Sequence, residues 1–280
     1  MKYGIYTPNF GAQTDARLLS ELARDAEEAG WDGFFIWDHI LASRNQPHPV
    51  VDPWVTLAAI AMTTQHIRIG TSVTPVARRR PWKLARETVT LDHLSGGRLI
   101  LSVGLGAPPD ADFADFGDES DARIRAQLLD EGLAILAGLW SNKPFHHQGK
   151  HYQIRETTFH PPPVQQPRIP IWVGGMWPNR APFRRAARWD GAFPILKGSQ
   201  PVSSQDLQEV RAYIDAHRES DLPFDLVTRG YTPGNELEKS RAMMTRYAEA
   251  GLTWWLESLS PFRDDPAKMR ERIWQGPPKI

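Results

Sequence analysis

The sequence has no cysteine among its 280 residues. Disulfide bonds, thiolate metal sites and a cysteine nucleophile are therefore excluded. Charge of one sign is not in excess either, because 33 Lys and Arg residues balance 33 Asp and Glu residues. A neutral chain gives no electrostatic reason to expect binding to nucleic acid or to an anionic membrane.

Long apolar segments are also missing. No stretch approaches the ~18 consecutive apolar residues that are typical of a transmembrane helix. The first ten residues, MKYGIYTPNF, have neither the charged region nor the apolar stretch of a signal peptide. We therefore expect a cytoplasmic protein with no membrane partner.

Several catalytic and metal-binding motifs are absent as well. The sequence has no Walker A motif, no GxSxG elbow and no HExxH motif. His146, His147 and His151 lie on a predicted hairpin without an accompanying carboxylate pattern, so we expect no metal site there.

The sequence does contain a regular alternation of short apolar runs with helical patterns. The predicted strands cover residues 3–7, 33–37, 67–73, 99–103, 171–173, 191–193, 224–229 and 252–256. A helical pattern follows each of these eight runs. This alternation predicts a (β/α)8 barrel, although a doubly wound α/β sheet produces the same alternation.

One interruption divides this pattern. Residues 141–170 contain HHQGKHYQI, which predicts a hairpin arm, and HPPPVQQPRIP, which predicts an extended return. We therefore expect a single domain, 1–280, with an insertion after the fourth helix. The stretch GLGAPP at 104–109 argues against a dinucleotide-binding sheet, because it lacks the third glycine of GxGxxG.

Asp38 and His39 are the first candidate site residues, because they follow an apolar strand directly in FFIWDHI. The active site of a barrel lies where its strands end. A histidine beside a carboxylate can donate or accept a proton near neutral pH. From the residues alone, the alternative is equally good: Asp38 caps a loop amide and His39 is solvated.

Two other strand ends and one basic run carry weaker signals. Ser72 and Val73 end the third strand, where a small hydroxyl side chain lets a planar ligand approach the backbone. Gly174 and Gly175, before Met176, free amide groups toward a helix start and form an anion site or a tight turn. The basic run 78–80 predicts a solvated loop, with the alternative that one arginine faces the site.

Together these pieces resemble the bacterial luciferase-like family of flavin- or deazaflavin-dependent oxidoreductases. The resemblance covers nearly the whole chain. The stretches that carry it are GIYTPNFG, AEEAGWDGFFIWDHI, DPWVTLAAIAMTTQHIRIGTSVTPV, RPWKLARETVTLDHLSGGRLILSVGLG and PIWVGGMWPNRAPFRRAARWDGAFP.

The resemblance implies a flavin-like ring in the barrel mouth, with a non-proline cis peptide behind it, here between Ser72 and Val73. It implies that Gly104 and Gly106 pass close to the ring or its ribityl chain. The cofactor phosphate is expected at Gly174, Gly175 and Met176. Because Met176 is not a small polar residue, we expect backbone N–H groups to bind the phosphate.

The Asp–His pair is similar to that of the family members that use coenzyme F420, whereas many FMN monooxygenases have Glu–His. The F420 pattern implies that Asp38 hydrogen-bonds the edge of the ring and that His39 is the acid or base. Lys197, after the sixth strand, is expected to meet the cofactor phosphate.

The resulting prediction is an enzyme that uses reduced F420 for hydride transfer to or from a small organic substrate. The alternatives are an FMN-dependent monooxygenase, a non-catalytic flavin-binding relative and a phosphate-binding lyase or isomerase without a redox cofactor. Helical faces at 53–64 and 81–94 suggest a homodimer. Candidate walls of the substrate pocket, with core packing as the alternative for at least half, are Trp37, Trp54, Trp82, Phe113 and Trp177, together with the loops 40–52, 105–120 and 194–202.

Overall fold

The computed structural model describes residues 1–11, 14–45, 48–259 and 265–280, so Gln46 and Pro47 of the predicted pocket loop 40–52 lie outside the described residues. Eight parallel strands close into a barrel in the order β1-β10-β9-β8-β7-β4-β3-β2. The barrel strands are β1 (Lys2–Thr7), β2 (Gly33–Ile36), β3 (Arg68–Pro75), β4 (Leu99–Gly104), β7 (Ile171–Met176), β8 (Gly191–Ile195), β9 (Asp225–Gly230) and β10 (Trp254–Ser258). The predicted (β/α)8 barrel is confirmed, and the doubly wound sheet is excluded.

Helices connect successive barrel strands. They are α1 (Ala16–Glu28), α2 (Pro53–Thr63), α3 (Pro81–Leu94), α4 (Ala122–Trp140), α5 (Arg180–Ala186), α6 (Ser204–Asp215), α7 (Leu237–Glu249) and α8 (Pro266–Trp274). Several of these helices begin at an aspartate that satisfies a free amide. The side chain of Asp52 accepts from the amide of Val55 at 2.9 Å, as expected of Asp52 followed by Pro53 at a helix start. No helix among the described residues is long and apolar enough to cross a membrane.

The insertion predicted after the fourth helix is a two-stranded antiparallel hairpin. It consists of β5 (Phe145–Gln148) and β6 (Gln153–Thr157) and lies between α4 and β7 in the chain. The return to the barrel contains two cis X-Pro bonds, at His160–Pro161 and Gln166–Pro167. The hairpin therefore does not interrupt the barrel, since β4 pairs directly with β7.

The inward faces of the strands fill the lower barrel with large side chains. The ring of Phe35 lies 5.1 Å from that of Trp172 and 5.7 Å from that of Trp254, and these two indoles are 5.3 Å apart. Gly191 makes room for this cluster, because a Cβ there would lie 2.4 Å from Cδ1 of Trp172. The packed interior confines any ligand to the mouth.

The predicted end of the last strand is too early. Glu257 and Ser258 were expected to follow the strand, whereas they belong to β10. They extend the strand because they pair with Ile5 and Tyr6 of β1. Ser258 thereby lies on the same face as Leu256, which packs inside the barrel.

Candidate active site

Asp38 lies just beyond β2 and is held by two arginines. Nη2 of Arg79 lies 2.9 and 2.8 Å from the two carboxylate oxygens, and Nη2 of Arg78 lies 2.7 Å from Oδ1. The side chains of Asp38 and Arg78 are only 1% and 3% exposed. The solvated loop predicted for the basic run is therefore wrong for Arg78 and Arg79, because a buried carboxylate draws both guanidinium groups inward.

His39 pairs with a carboxylate from another loop. Its Nδ1 lies 2.5 Å from Oδ2 of Asp112, in the segment between β4 and α4. The other oxygen of Asp112 accepts from the amides of Ile40, Leu41 and Ala42 at 3.2, 2.9 and 3.0 Å. The carboxylate of Asp112 therefore holds both the imidazole of His39 and the backbone of the three residues that follow it.

The charge of Asp112 is strongly stabilised. Burial alone would raise the pKa of this carboxyl, but hydrogen bonds from His39 and from the amides of Leu41 and Ala42 outweigh burial and lower the pKa to about 2. Nη1 of Arg78 adds a further positive charge at 3.5 Å from Oδ2. Asp112 is therefore an anion at neutral pH and accepts a proton-bearing Nδ1, which leaves Nε2 of His39 as the nitrogen available to a bound molecule.

Asp112 was missed by sequence reasoning. It lies 73 residues from His39, in a loop that also carries Asp110, Asp115 and Asp118. The position of this loop after the fourth strand was the only available signal, and that signal does not distinguish one aspartate from the others. Asn9, two residues beyond β1, was likewise given no role by sequence reasoning. Its Nδ2 donates to the carbonyl of His39 at 2.9 Å, and its Oδ1 accepts from the amide of His39 at 3.1 Å.

An aromatic wall, defined as Tyr6, Trp37 and Phe193, continues from His39 across the mouth. The rings of Trp37 and His39 are 5.7 Å apart, those of Tyr6 and Trp37 are 5.3 Å apart, and those of Tyr6 and Phe193 are 6.0 Å apart. Phe10 approaches the imidazole edge-on at 5.3 Å. Burial raises the pKa of Tyr6 to about 12, against the lowering effect of nearby Arg229, so its hydroxyl stays protonated.

Of the five aromatic residues predicted as pocket walls, only Trp37 packs against the barrel interior. The ring of Trp177 lies 5.1 Å from Phe183 of α5, and Trp82 lies 6.1 Å from Tyr152 near the hairpin. The other two lie beneath arginines, Trp54 below Arg79 and Phe113 below Arg78 and Arg125. Trp54, Phe113 and Trp177 are 8%, 0% and 3% exposed, so the alternative of core packing describes these three, whereas Trp82 is 39% exposed.

The peptide bond between Ser72 and Val73 is cis, so the expectation from the resemblance is confirmed. The side chain of Val73 then lies between two glycines. A Cβ on Gly104 would be 2.9 Å from Cγ2 of Val73, and a Cβ on Gly174 would be 2.9 Å from Cγ1. Neither glycine can gain a side chain without moving Val73, which keeps the backbone at this side of the mouth open.

Of four further predicted cofactor residues, the two glycines have positions that packing explains, and the other two residues are exposed. A Cβ on Gly175 would lie 2.2 Å from Cβ of Pro182, so close contact with α5 explains this glycine. Gly106 has φ +76°, and a Cβ there would lie 2.8 Å from both Phe113 and Pro75. Met176 is 41% exposed at the end of β7, and Lys197 is exposed after β8. Their contact with a cofactor stays a prediction.

Several polar atoms near the mouth have no hydrogen-bond partner within the described chain. They are buried, and they face the interior because they lie at two-residue spacing from the inward-facing residues of their strands. They are Nε1 of Trp37 and the hydroxyl oxygens of Ser72, Ser102 and Ser258. Buried polar atoms nearly always have partners, so this set of atoms fits a bound molecule with donors and acceptors on its edges.

The histidines of the hairpin bind neighbouring polar side chains. Nε2 of His147 lies 3.3 Å from Glu131, and Nε2 of His151 lies 2.9 Å from the side-chain oxygen of Gln127. Among the described residues, no group of three or more His, Asp or Glu side chains is arranged to hold a metal ion.

Comparison with known proteins decides the family. The model of the luciferase-like monooxygenase family matches residues 1–272. The chain belongs to this family. The predicted resemblance is thereby confirmed over nearly the whole sequence, and the members of this luciferase-like family are enzymes.

Two curated relatives illustrate the range of the family. The oxygenase component of flavin-dependent trigonelline monooxygenase from Acinetobacter baylyi is 33% identical over 174 residues, which is 61% of this chain and 47% of that protein. F420-dependent glucose-6-phosphate dehydrogenase from Microbacterium testaceum is 32% identical over 180 residues, which is 63% of this chain and 51% of that protein. The luciferase-like chain thus spans about half the length of these relatives.

Solved structures of luciferase-like proteins share the fold along almost the full chain. An F420-dependent secondary alcohol dehydrogenase with an F420–acetone adduct has a TM-score of 0.78 at 16% identity, covering 99% of this chain and 98% of that one. The oxygenating constituent of 3,6-diketocamphane monooxygenase from Pseudomonas putida, with FMN, has a TM-score of 0.72 at 18% identity, covering 98% and 96%. At these identities the likeness concerns the fold.

Proposed function

We propose that this luciferase-like protein is an oxidoreductase that binds coenzyme F420 in the barrel mouth and transfers hydride to or from a small organic substrate. The observation that carries the proposal is the His39–Asp112 pair, which holds an imidazole for proton transfer beside a set of unpartnered buried polar atoms. F420-dependent relatives over more than half of the chain support the choice of cofactor.

The residues of the mouth fit such a group. The side-chain-free backbone at Gly104 and Gly174 gives a planar ring access to the face formed by Val73. The Ser72 hydroxyl and the Trp37 indole N–H are buried and unpartnered within the described chain, as expected of atoms that hydrogen-bond the heteroatoms of a ring. When bound, reduced F420 supplies the hydride.

The residues of the chain then supply the proton and the geometry. Nε2 of His39 donates or accepts the proton that accompanies hydride transfer, and Asp112 keeps the imidazole in one tautomer and one orientation. The aromatic wall excludes water from this side of the mouth. Asn9 fixes the backbone of His39 through two hydrogen bonds.

We assign Asp38 chiefly to organising this region. Both of its oxygens already accept from Arg78 or Arg79, so it reaches the edge of a ring only by sharing an oxygen with these arginines. For the cofactor phosphate, we propose the backbone N–H groups at Gly174, Gly175 and Met176. The exposed ammonium of Lys197 is proposed as the cationic partner.

FMN-dependent monooxygenation is the second candidate function. The relative from Acinetobacter baylyi is the oxygenase component of a flavin-dependent monooxygenase, which supports this second candidate. The two functions differ in the cofactor that the purified protein binds. A non-catalytic flavin-binding role is disfavoured, because binding alone does not require the paired His39 and Asp112.

A side-by-side titration with F420 and FMN tests the proposal. We expect F420 to bind more tightly, as measured by quenching of intrinsic Trp fluorescence and by the absorption band of F420 near ~420 nm. Tighter binding of FMN would instead favour the monooxygenase. If neither cofactor binds to correctly folded protein, the proposed function is wrong.

We also infer that the protein forms a homodimer through α2 and α3. α2 exposes Val55 and Met62 at 69% and 66%, and α3 exposes Leu94 at 43%. Large exposed apolar side chains on neighbouring helices are typical of an interface. We expect light scattering to give the dimer mass, and Met62→Glu to weaken the dimer. Val164, 47% exposed in the return segment, provides the matched control Val164→Glu. A monomeric wild-type protein would contradict the inference.

A further inference from the structure

Arg229 is a cation at the rim of the mouth that has no counter-ion among the described residues. It lies near the end of β9, and its guanidinium carbon is 5.6 Å from the centre of the Tyr6 ring. Among the described residues, no carboxylate lies within ion-pair distance of it, unlike Arg78 and Arg79, which share Asp38. A partly buried cation in this state favours an incoming anion.

A cavity of about 190 Å³ opens beside Arg229. Its walls are largely apolar and aromatic, with Ile195, Met243 and Trp255 among them, and Gln200 adds an amide. Arg229 is the only charged side chain among the described residues that line it. Cavities of about 150 Å³ admit a benzene-sized molecule, so this one has room for a six-membered ring with a small substituent.

Arg229 connects the cavity with the candidate active site, because it lines the cavity and also contacts Tyr6 of the aromatic wall. Tyr6 contacts Arg229 on one side and Trp37 on the other, and Trp37 lies 5.7 Å from His39. The cation and the imidazole therefore stand at two ends of one aromatic surface. A molecule held at Arg229 by a negative group can extend its apolar body along this surface toward His39.

We propose that Arg229 and the cavity bind the carboxylate of a small organic-acid substrate with an apolar or aromatic body. The guanidinium supplies two parallel N–H donors for the carboxylate. A ligand with a neutral amide in place of the carboxylate cannot match this pairing. This inference rests on the proposed function, because it names the class of substrate that the oxidoreductase takes. It makes Arg229 a residue that determines substrate specificity.

The test compares benzoate with benzamide, which has nearly the same shape without the charge. Binding of each to the purified full chain is measured by calorimetry or ligand-observed NMR, with and without the bound cofactor. We expect benzoate to bind more tightly than benzamide, and Arg229→Gln to weaken benzoate by about tenfold or more. Arg229→Lys should retain part of the affinity. Arg24→Gln is the matched control, because Arg24 is an exposed arginine of α1.

The inference is overturned by equal affinity for benzoate and benzamide, by unchanged benzoate binding in Arg229→Gln, or by inorganic phosphate binding as tightly as benzoate. A loss of F420 or FMN affinity in Arg229→Gln would place Arg229 in the cofactor site and also overturn it. If the protein binds a carboxylate but neither F420 nor FMN, the proposed function is refuted and the anion site at Arg229 is retained. Circular dichroism checks that each variant is folded.

Discussion

Nδ1 of His39 lies 2.5 Å from Oδ2 of Asp112, although the two residues are 73 positions apart. β2 and β4 bring them together, because the segments that follow these strands both lie at the barrel mouth. A buried anion behind an imidazole fixes its tautomer and its orientation. The acid or base that we propose is therefore a pair of residues, of which the sequence motif shows one.

Asp112→Asn is expected to lower turnover by about a hundredfold or more while leaving cofactor affinity nearly unchanged. An asparagine can still accept from the amides of Leu41 and Ala42, but its amide nitrogen cannot accept the Nδ1 proton. The preferred tautomer of His39 then reverses. The measurement is steady-state kinetics as a function of pH beside a cofactor titration.

Asp115→Asn is the matched control, since Asp115 lies in the same loop and pairs with exposed Arg44 instead of His39. This variant should keep normal turnover. Equal loss of activity in the two variants, or a pH profile of Asp112→Asn identical to that of the wild type, would contradict the assigned role.

Acid stability provides a second test of Asp112, independent of activity. Its pKa is about 2 in the folded protein against 3.8 for an ordinary aspartate, so folding favours the ionised form. The stabilisation from this group is complete above about pH 4 and is lost as the pH falls from about 4 to 2. It amounts to about 2 kcal/mol. Urea denaturation at pH 5 and pH 2.5 should show a smaller loss of unfolding free energy for Asp112→Asn than for the wild type.

The parts of the fold that follow from local pattern were predictable. The alternation of apolar runs and helical patterns located all eight barrel strands, because the strands are largely buried and several helices begin at a capping residue. The insertion at 141–170 was visible as a break in that alternation. The end of β10 was not visible in the sequence. Glu257 and Ser258 extend the strand by pairing with β1, and the sequence does not show that pairing.

His39→Gln should reduce turnover far more than cofactor affinity. Glutamine retains hydrogen-bonding capacity but cannot transfer a proton near neutral pH. Turnover and the dissociation constants of F420 and FMN are measured for wild type and variant. Added imidazole should restore part of the activity in His39→Ala. A parallel loss of turnover and affinity would show that His39 serves binding and not proton transfer.

The partners of the site residues were less predictable than the residues themselves. Asp38 and His39 were recognised at a strand end, and the cis bond at Ser72–Val73 was expected from the family. The burial of Arg78 and Arg79 was not expected, because a basic run at 78–80 has the composition of a solvated loop. Its contacts are set by η1 (Val76–Arg78), the short turn that directs these side chains toward Asp38.

Asp38→Asn should destabilise the fold strongly. It removes the carboxylate 2.7 Å from Arg78, whose side chain is 3% exposed, and leaves only Asp112 at 3.5 Å; breaking a buried pair costs about 3–5 kcal/mol. The control is Glu87→Gln, which removes the surface pair with Lys83 and should cost less than about 1 kcal/mol. Equilibrium urea denaturation at pH 7 measures both. Similar small losses would show that Asp38 does not organise the region.

Gly174 and Gly175 were both predicted to bind the cofactor, but the structure separates them. A Cβ on Gly174 would press on Val73, whereas a Cβ on Gly175 would press on Pro182 of α5. Gly174→Ala should therefore weaken F420 or FMN binding by about tenfold or more, by pushing the side chain of Val73 out of place. Gly175→Ala should mainly lower the melting temperature.

Val73→Ala removes Cγ1, the methyl group that a Cβ at position 174 would meet, and also Cγ2, so the double variant with Gly174→Ala should recover part of the lost affinity. The same replacement should give no recovery in Gly175→Ala, because Val73 is not what that Cβ meets. Cofactor titration and thermal unfolding of the three single and two double variants give both readouts. If Gly174→Ala binds the cofactor as well as the wild type, the open backbone beside Val73 is a packing feature and the ring binds elsewhere in the mouth.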